Sequence, residues 1–342
     1  MDDPILDDEQ RANWHEEGWC VLEHFLPADD VAAAQAELPD LYPTAEAFAA
    51  GLGAPGGNVH DASWDAKKPT FPLEGMALNH LIVHERLIAL AEDLLGTDQL
   101  RLYQGHATAK YSDGDPEYEQ LLHVDYGNHT LVVPRADVGY RHLELFVYLS
   151  DVTPELAATR MVSRRLTRDI PVERTYLSLD EYAPLYASEV PASGPSGSVL
   201  AYRPDVYHRG TSLTAKRKAR FLLHVAYKPV ATDWLGSQAW PSAAEDMAWH
   251  RFVPTASVRQ LTVLGFPEPG HPYWNQETLD GVAARYPRLD MTPWRQATAT
   301  AAGTTSATAT ATGTTATTTA GTTGRTTTVH ATAGLAGGRG IS

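Results

Sequence analysis

From Gln99 onward the chain runs through seven short segments of strand character. They are "QLRLYQGHATAKYS", "EQLLHVDY", "HTLVVP", "RHLELFVYLSDV", "TRMVSR", "GSVLAYR" and "ARFLLHVAYK", separated by turn-rich stretches such as "SDGDP" and "PASGPSG". Parallel strands need long crossovers, usually helical, between them, and no helix is read between these segments. Many short strands joined by turns bury their alternate residues by stacking two sheets or by closing a barrel. The expectation is a mainly β fold with a jelly-roll core and flanking α-helices.

The helices are read ahead of the strands. "DDEQRANWHEEG" reads as a helix stopped at Gly18, since glycine takes the left-handed backbone that ends helices without penalty. "WCVLEHFL" follows as a strand. "PADDVAAAQAEL" is a helix with proline at its start and acids in its first turn, where the free N–H groups favour negative charge. "HLIVHERLIALAEDLLG" reads as one helix ending at Gly96, with apolar residues at 81, 82, 87, 88, 91, 94 and 95. Such a one-sided stripe packs on something flat.

One domain is expected over 1–296, with a helical N-terminal part. Its last stretch, "FPEPGHPYWNQETLDGVAARYPRLDMTPW", is expected to pack Tyr273, Trp274 and Trp294 on the core rather than form a lid. Residues 297–342 are almost pure Ala, Thr and Gly, too poor in apolar groups to offset chain entropy, and are expected to be a disordered tail.

Charge narrows the partners. The net charge is −15, and residues 1–50 hold thirteen Asp or Glu against one Arg. A surface this acidic repels phosphate backbones and anionic lipid, so neither nucleic acid nor membrane is an expected partner. The start "MDDPILDDEQ" has no signal-peptide pattern, and no apolar run is long enough to span a bilayer. Cys20 is the single cysteine, which excludes an internal disulfide and a cysteine metal cage. A cytoplasmic protein is expected; its oligomeric state is not legible.

Within "LLHVDYGNHT", His123 and Asp125 are two positions apart on a strand and so share a face. Histidine plus carboxylate is two-thirds of the 2-His-1-carboxylate triad that holds non-haem Fe(II). The pattern is weak alone, because His15 with Glu17 and His142 with Glu144 repeat it. His15 lies in a predicted helix, where i and i+2 diverge; His142 and Glu144 lie in a strand and are the internal competitor. His208, in the turn after "GSVLAYR", supplies a candidate third ligand. Arg220 opens the last strand, and its planar fork suits a carboxylate.

Taken together, the chain from about Trp14 to Lys228 resembles the phytanoyl-CoA dioxygenase family of Fe(II)/2-oxoglutarate oxygenases. The resemblance rests on "EDLLG", "LRLYQGHATAK", "HVD", "FVYLSDVTPELAATRMVS", "GSVLAYRPDVYHRGTS" and the Arg220 strand, in that order. It implies a double-stranded β-helix core with iron held by His123, Asp125 and His208. It implies that Arg220 pairs with the distal carboxylate of 2-oxoglutarate, that Lys110 stands near this cosubstrate, and that Gln104 and Tyr103 line the same wall. Thr211 and Ser212 offer hydroxyls to the same carboxylate. The implied reaction is hydroxylation of a small-molecule substrate with dioxygen. The alternatives are a non-catalytic jelly-roll binding protein and a 2-oxoglutarate-dependent halogenase; Asp125 speaks against the latter by filling the chloride position. One departure stands out. Where many members have Pro-Gly-Ser-His, this chain has Ser163, Arg164 and Arg165, read as a solvated loop or as positive charge for an anionic substrate.

Overall fold

The computed structural model describes residues 5–52, 69–112, 119–125, 129, 142–171, 174–232 and 246–300. The chain divides into two compact units, Met1–Thr298 and Ala299–Ser342. Of the second only residues 299 and 300 are described, so most of the expected tail, and all of "HTLVVP" beyond His129, lie outside the described residues.

Helix α1 (Asp8–Glu16) is opened by a capping box between Asp7 and Gln10, and Gly18 follows at φ +83°. Strand β1 (Trp19–Leu22) comes next, then α2 (Ala28–Leu41), α3 (Ala45–Ala49), α4 (Met76–Ile82) and α5 (Glu85–Leu95). The strands β2 (Leu100–Tyr111), β3 (Leu122–His123), β4 (Leu143–Tyr148), β5 (Arg160–Met161) and β6 (Tyr176–Leu177) follow. Helix α6 (Leu179–Ala187) stands before β7 (Val190–Pro191), β8 (Val199–Tyr202), β9 (His208–Arg209) and β10 (Ala219–Pro229). Three helices close the list, α7 (Met247–Phe252), α8 (Val258–Val263) and α9 (Gln276–Arg285).

Two five-stranded antiparallel sheets form, in the orders β1-β8-β4-β10-β2 and β6-β3-β9-β5-β7. The expected mainly β architecture with flanking helices is present. Among the described residues no hydrogen-bonded ladder joins the two sheets into a closed barrel.

Alternation sorts the large sheet into two faces. Leu143, Leu145, Val147, Val199, Ala201, Leu223, Val225 and Tyr227 share one core with the apolar stripes of α2, α4 and α5. Phe146, Tyr148, Leu200, Tyr202 and Leu222 point the other way, into a second cluster with Met161 and Val206 of the small-sheet side. Gly105 lets α4 lie close on β2, since a Cβ there would meet Ile82 Cγ2 at 2.8 Å. The ladder between β10 and β2 shifts between Ala226 and Tyr227, where Leu102 and Gln104 pair and Tyr103 is the extra residue. A bulge of this kind turns two successive side chains to one side, so Tyr103 joins Gln104, His106, Thr108 and Lys110 on the inner face.

Two expectations need correction. The segment from 80 to 96 is two helices, not one: Val83 leaves the helical region at ψ +33°, and His84 caps α5 by accepting from Arg86 N–H at 3.1 Å. The freed carbonyls find distant partners, Tyr227 Oη on Ile82 O at 3.0 Å and Gln260 Nε2 on Val83 O at 2.9 Å. Helix α6 was not anticipated. The Ser163–Arg165 turn is solvated, as expected, with the Arg165 side chain half exposed, but both arginines have carboxylate partners. Arg164 Nε bonds Asp205 Oδ2 at 2.8 Å and Arg165 Nε bonds Glu17 Oε1 at 3.0 Å, tying the turn to the α1 end and the β8–β9 loop.

At the C-terminal end Trp274 and Trp294 are buried and both donate Nε1–H to Pro267 O, at 3.1 and 2.9 Å. They pack rather than cover a site, while Tyr273 is exposed. Helical backbone runs from 292 across the expected domain limit at 296, and Thr298 Oγ1 bonds Trp294 O at 2.9 Å. No helix among the described residues is long and apolar enough to cross a membrane.

Candidate metal centre

Strands β3 and β9 place His123 directly opposite His208. Directly opposed residues present their side chains on the same face a few ångströms apart, and the two imidazole centroids are 4.6 Å apart. The turn after β3 then brings Asp125 between them. His123 Nε2 is 3.7 Å from Asp125 Oδ1, and His208 Nε2 is 3.3 Å from Asp125 Oδ2.

Each ring is held from behind. His123 Nδ1 meets Leu121 O at 2.9 Å and His208 Nδ1 meets Val206 O at 3.0 Å. A carbonyl only accepts, so Nδ1 carries the proton and the Nε2 lone pair faces inward, the tautomer a metal ligand needs. Tyr202 donates its hydroxyl to Asp125 Oδ2 at 2.7 Å. The phenol stays protonated, because burial and then the Asp125 charge push it well above its ordinary range.

The electrostatics keep Asp125 ionised and His123 neutral, as ligands must be, while at His208 a cation has to displace a proton that Asp125 favours. Burial pushes Asp125 up, but the charge and hydrogen bond of His208, then the charges of His123 and His129, outweigh it and hold the carboxyl well below its usual range. Burial, then the charge of His208, lowers His123 to about 4. Burial lowers His208 too, but the Asp125 carboxylate reverses this and leaves it raised. Two imidazole nitrogens and one carboxylate within 4.8 Å of one another are a donor set for a divalent transition ion.

The other expected residues separate into two groups. Arg220 and Lys110 are direct partners across β10 and β2. Lys110 Nζ donates to Thr211 O, Arg220 donates to Ala157 O, and Thr211 Oγ1 lies 3.5 Å from Ala158 O. The structure therefore assembles Arg220, Lys110 and Thr211 into one basic corner. Ser212 lies beside it, its N–H donating to Glu119 Oε1 at 3.2 Å.

Gln104 and Tyr103 share the inner face of β2 with Lys110 but stand at its other end. Six residues of strand, roughly 20 Å, separate Gln104 from Lys110, and Gln104 Nε2 instead meets His106 Nδ1 at 3.1 Å. Tyr103 Oη meets His129 Nδ1 at 2.9 Å and also Glu144. The internal competitor, His142 with Glu144, is thus a real cluster of its own rather than part of the first site.

Tyr202 and His129 were missed. Tyr202 stands six residues before His208 in "AYRPDVYH", but nothing local shows that its hydroxyl crosses to the other sheet.

Two antiparallel sheets with two histidines and an aspartate gathered between them make a β fold of the jelly-roll type that carries a donor set suited to a divalent ion. More narrowly, the chain belongs to the phytanoyl-CoA dioxygenase (PhyH) family, whose profile matches residues 14–220. Among curated proteins, none matches the chain. Several solved structures do. EctD from S. alaskensis in its apo form is 21% identical over 70% of this chain and 84% of that one, with TM-score 0.51. HygX from Streptomyces hygroscopicus with iron bound is 20% identical over 68% and 90%, TM-score 0.48. The epimerase SnoN in complex with Fe3+, alpha ketoglutarate and nogalamycin RO is 19% identical over 65% and 83%, TM-score 0.48.

Proposed function

We propose that this chain is an Fe(II)- and 2-oxoglutarate-dependent oxygenase that hydroxylates a small-molecule substrate. The observation that carries the reading is the His123–Asp125–His208 group, with both Nε2 lone pairs turned inward. Family membership supports the same cofactors.

The protein's own part is positional. His123 and His208 hold their tautomers through Leu121 O and Val206 O, and Tyr202 fixes the carboxylate that completes the face. His123, Asp125 and His208 would hold the iron and leave it positions for the cosubstrate and dioxygen. Arg220, with Lys110 and Thr211 beside it, receives the distal carboxylate of 2-oxoglutarate; a guanidinium fork suits that group. Phe146, Tyr148, Leu200 and Leu222 keep the adjoining inner face apolar and exclude water. Iron with 2-oxoglutarate would use dioxygen as the oxidant, one oxygen atom going into succinate as carbon dioxide leaves and the other into an unactivated C–H bond of the substrate.

The test is anaerobic loading of the full chain with Fe(II) and 2-oxoglutarate, admission of labelled dioxygen, and measurement of succinate across a metabolite panel. Succinate release that depends on His208 and label in a hydroxylated product are expected. No iron-dependent succinate with any candidate would leave a non-catalytic binding protein instead. Chlorinated product in saturating chloride would make it a halogenase and remove Asp125 from the ligand set.

A further inference from the structure

The inner face of the large sheet carries a second cluster of ligand-type atoms beside the first. His129, His142 and Glu144 are all buried, and one ligand atom from each lies within 4.8 Å of the others. The two rings are stacked at 5.5 Å between centroids, 21° from parallel. Tyr103 stands edge-on to both, at 84° and 89°.

All the polar atoms aim at one oxygen. Glu144 Oε1 receives the Tyr103 hydroxyl, lies 3.0 Å from His129 Nδ1 and lies 3.4 Å from His142 Nε2. A carboxylate oxygen has two lone pairs. Tyr103 and His129 take them, and His142 Nε2 is left buried with no hydrogen bond. A buried ring nitrogen without a partner is uncommon, and His142 is only 2% exposed. A cation held between the three atoms removes the conflict. Tetrahedral zinc with bonds of about 2.0–2.1 Å sets its donors roughly 3.3 Å apart, which the 3.0 and 3.4 Å separations bracket.

We propose that His129, His142 and Glu144 form a second metal site that binds one zinc ion, with the Tyr103 hydroxyl orienting the Glu144 carboxylate. This site is separate from the triad. It shares no ligand with it, and its link to it runs through the sheet: Glu144 is the direct cross-strand partner of Tyr202, whose hydroxyl holds Asp125. The assignment does not depend on the oxygenase reading, because it rests on different side chains.

Zinc binding by the full-length chain tests it. After chelator treatment, protein is loaded with zinc chloride, passed through a column with a weak competing chelator, and assayed for zinc per chain. The unaltered chain should retain two equivalents, since the triad also accepts zinc. His123→Ala/His208→Ala should retain one, and adding His142→Ala should remove it while the circular dichroism spectrum is kept. Zinc K-edge absorption of the His123→Ala/His208→Ala protein should show two imidazole ligands, which decides the matter even where the triple variant does not fold. No stoichiometric zinc in that protein, zinc unchanged by His142→Ala in a folded chain, or a spectrum without imidazole overturns the site.

Discussion

The Tyr202 hydroxyl reaches from the large sheet to Asp125 Oδ2 on the small-sheet side, 2.7 Å away. It is the bond that fixes which way the carboxylate faces between His123 and His208. Partners behind metal ligands typically affect affinity by about 10–100-fold. Tyr202→Phe keeps the ring and its packing and removes only the donor. Fe(II) affinity is expected to fall within that range with the melting temperature little changed. Equal Fe(II) affinity in equilibrium titration would show that Asp125 needs no such support.

The basic corner makes a contrast between two arginines. Arg220 lies against Lys110 on the ladder, whereas Arg217 lies in the preceding turn at φ +52°. Losing a charge-assisted contact costs about 1.5–3 kcal/mol. Arg220→Ala is therefore expected to raise the 2-oxoglutarate requirement at least about tenfold, and Arg217→Ala to change it little. Succinate-release titrations compare them, and equal effects would rule out a specific clamp.

Asp205 gives a pH signature. Burial works to raise its carboxyl, but Arg203 and then Arg164 outweigh burial and leave it below its ordinary value of 3.8. A depressed carboxylate contributes stability above its unfolded pKa, about 3.9, and that contribution is lost as pH falls through the folded value. Asp205→Asn should cost about 1.5–3 kcal/mol near pH 7 and progressively less below about pH 4. Denaturant melts at the two ends measure this. The same deficit at both would mean the loss is packing rather than charge.

Gly105 tests the helix–sheet approach. Its added Cβ would stand 2.8 Å from Ile82 Cγ2, and overpacking of this kind costs about 1–3 kcal/mol. Gly105→Ala should lower stability in that range, and Ile82→Leu, which removes the clashing methyl, should restore part of it. A double variant no more stable than Gly105→Ala alone would place the strain elsewhere.

What could be read from the sequence follows how local each cause is. Most of the strand segments depend on alternation over a few residues, so they were legible, whereas Asp125 reaches His123 through the turn after β3 and not through a shared strand face. The order of His123, Asp125, His208 and Arg220 along the chain was legible too. The break at Val83 was not, because the carbonyls it frees are satisfied by Tyr227 and Gln260, far along the chain. The ion partners of Arg164 and Arg165 were hidden for the same reason: Asp205, Glu16 and Glu17 meet them only in the folded chain. The His142–Glu144 repeat could be dismissed as coincidence until His129 and Tyr103 arrived from other segments.

The extra residue in β2 acts as a phase boundary. On one side of Tyr103 the even-numbered Leu100 and Leu102 belong to the helix-facing core, and on the other the odd-numbered Ala107 and Ala109 do. The two halves of one strand are out of step by one residue, and Tyr103 absorbs the mismatch. Removing that residue would bring the two halves into step, with Leu102 facing the helices and Gln104 following it inward. What the position adds is a second inward side chain in succession, and with it the hydroxyl that reaches Glu144. A lineage that lost it would keep the strand and its leucine core and give up that hydroxyl.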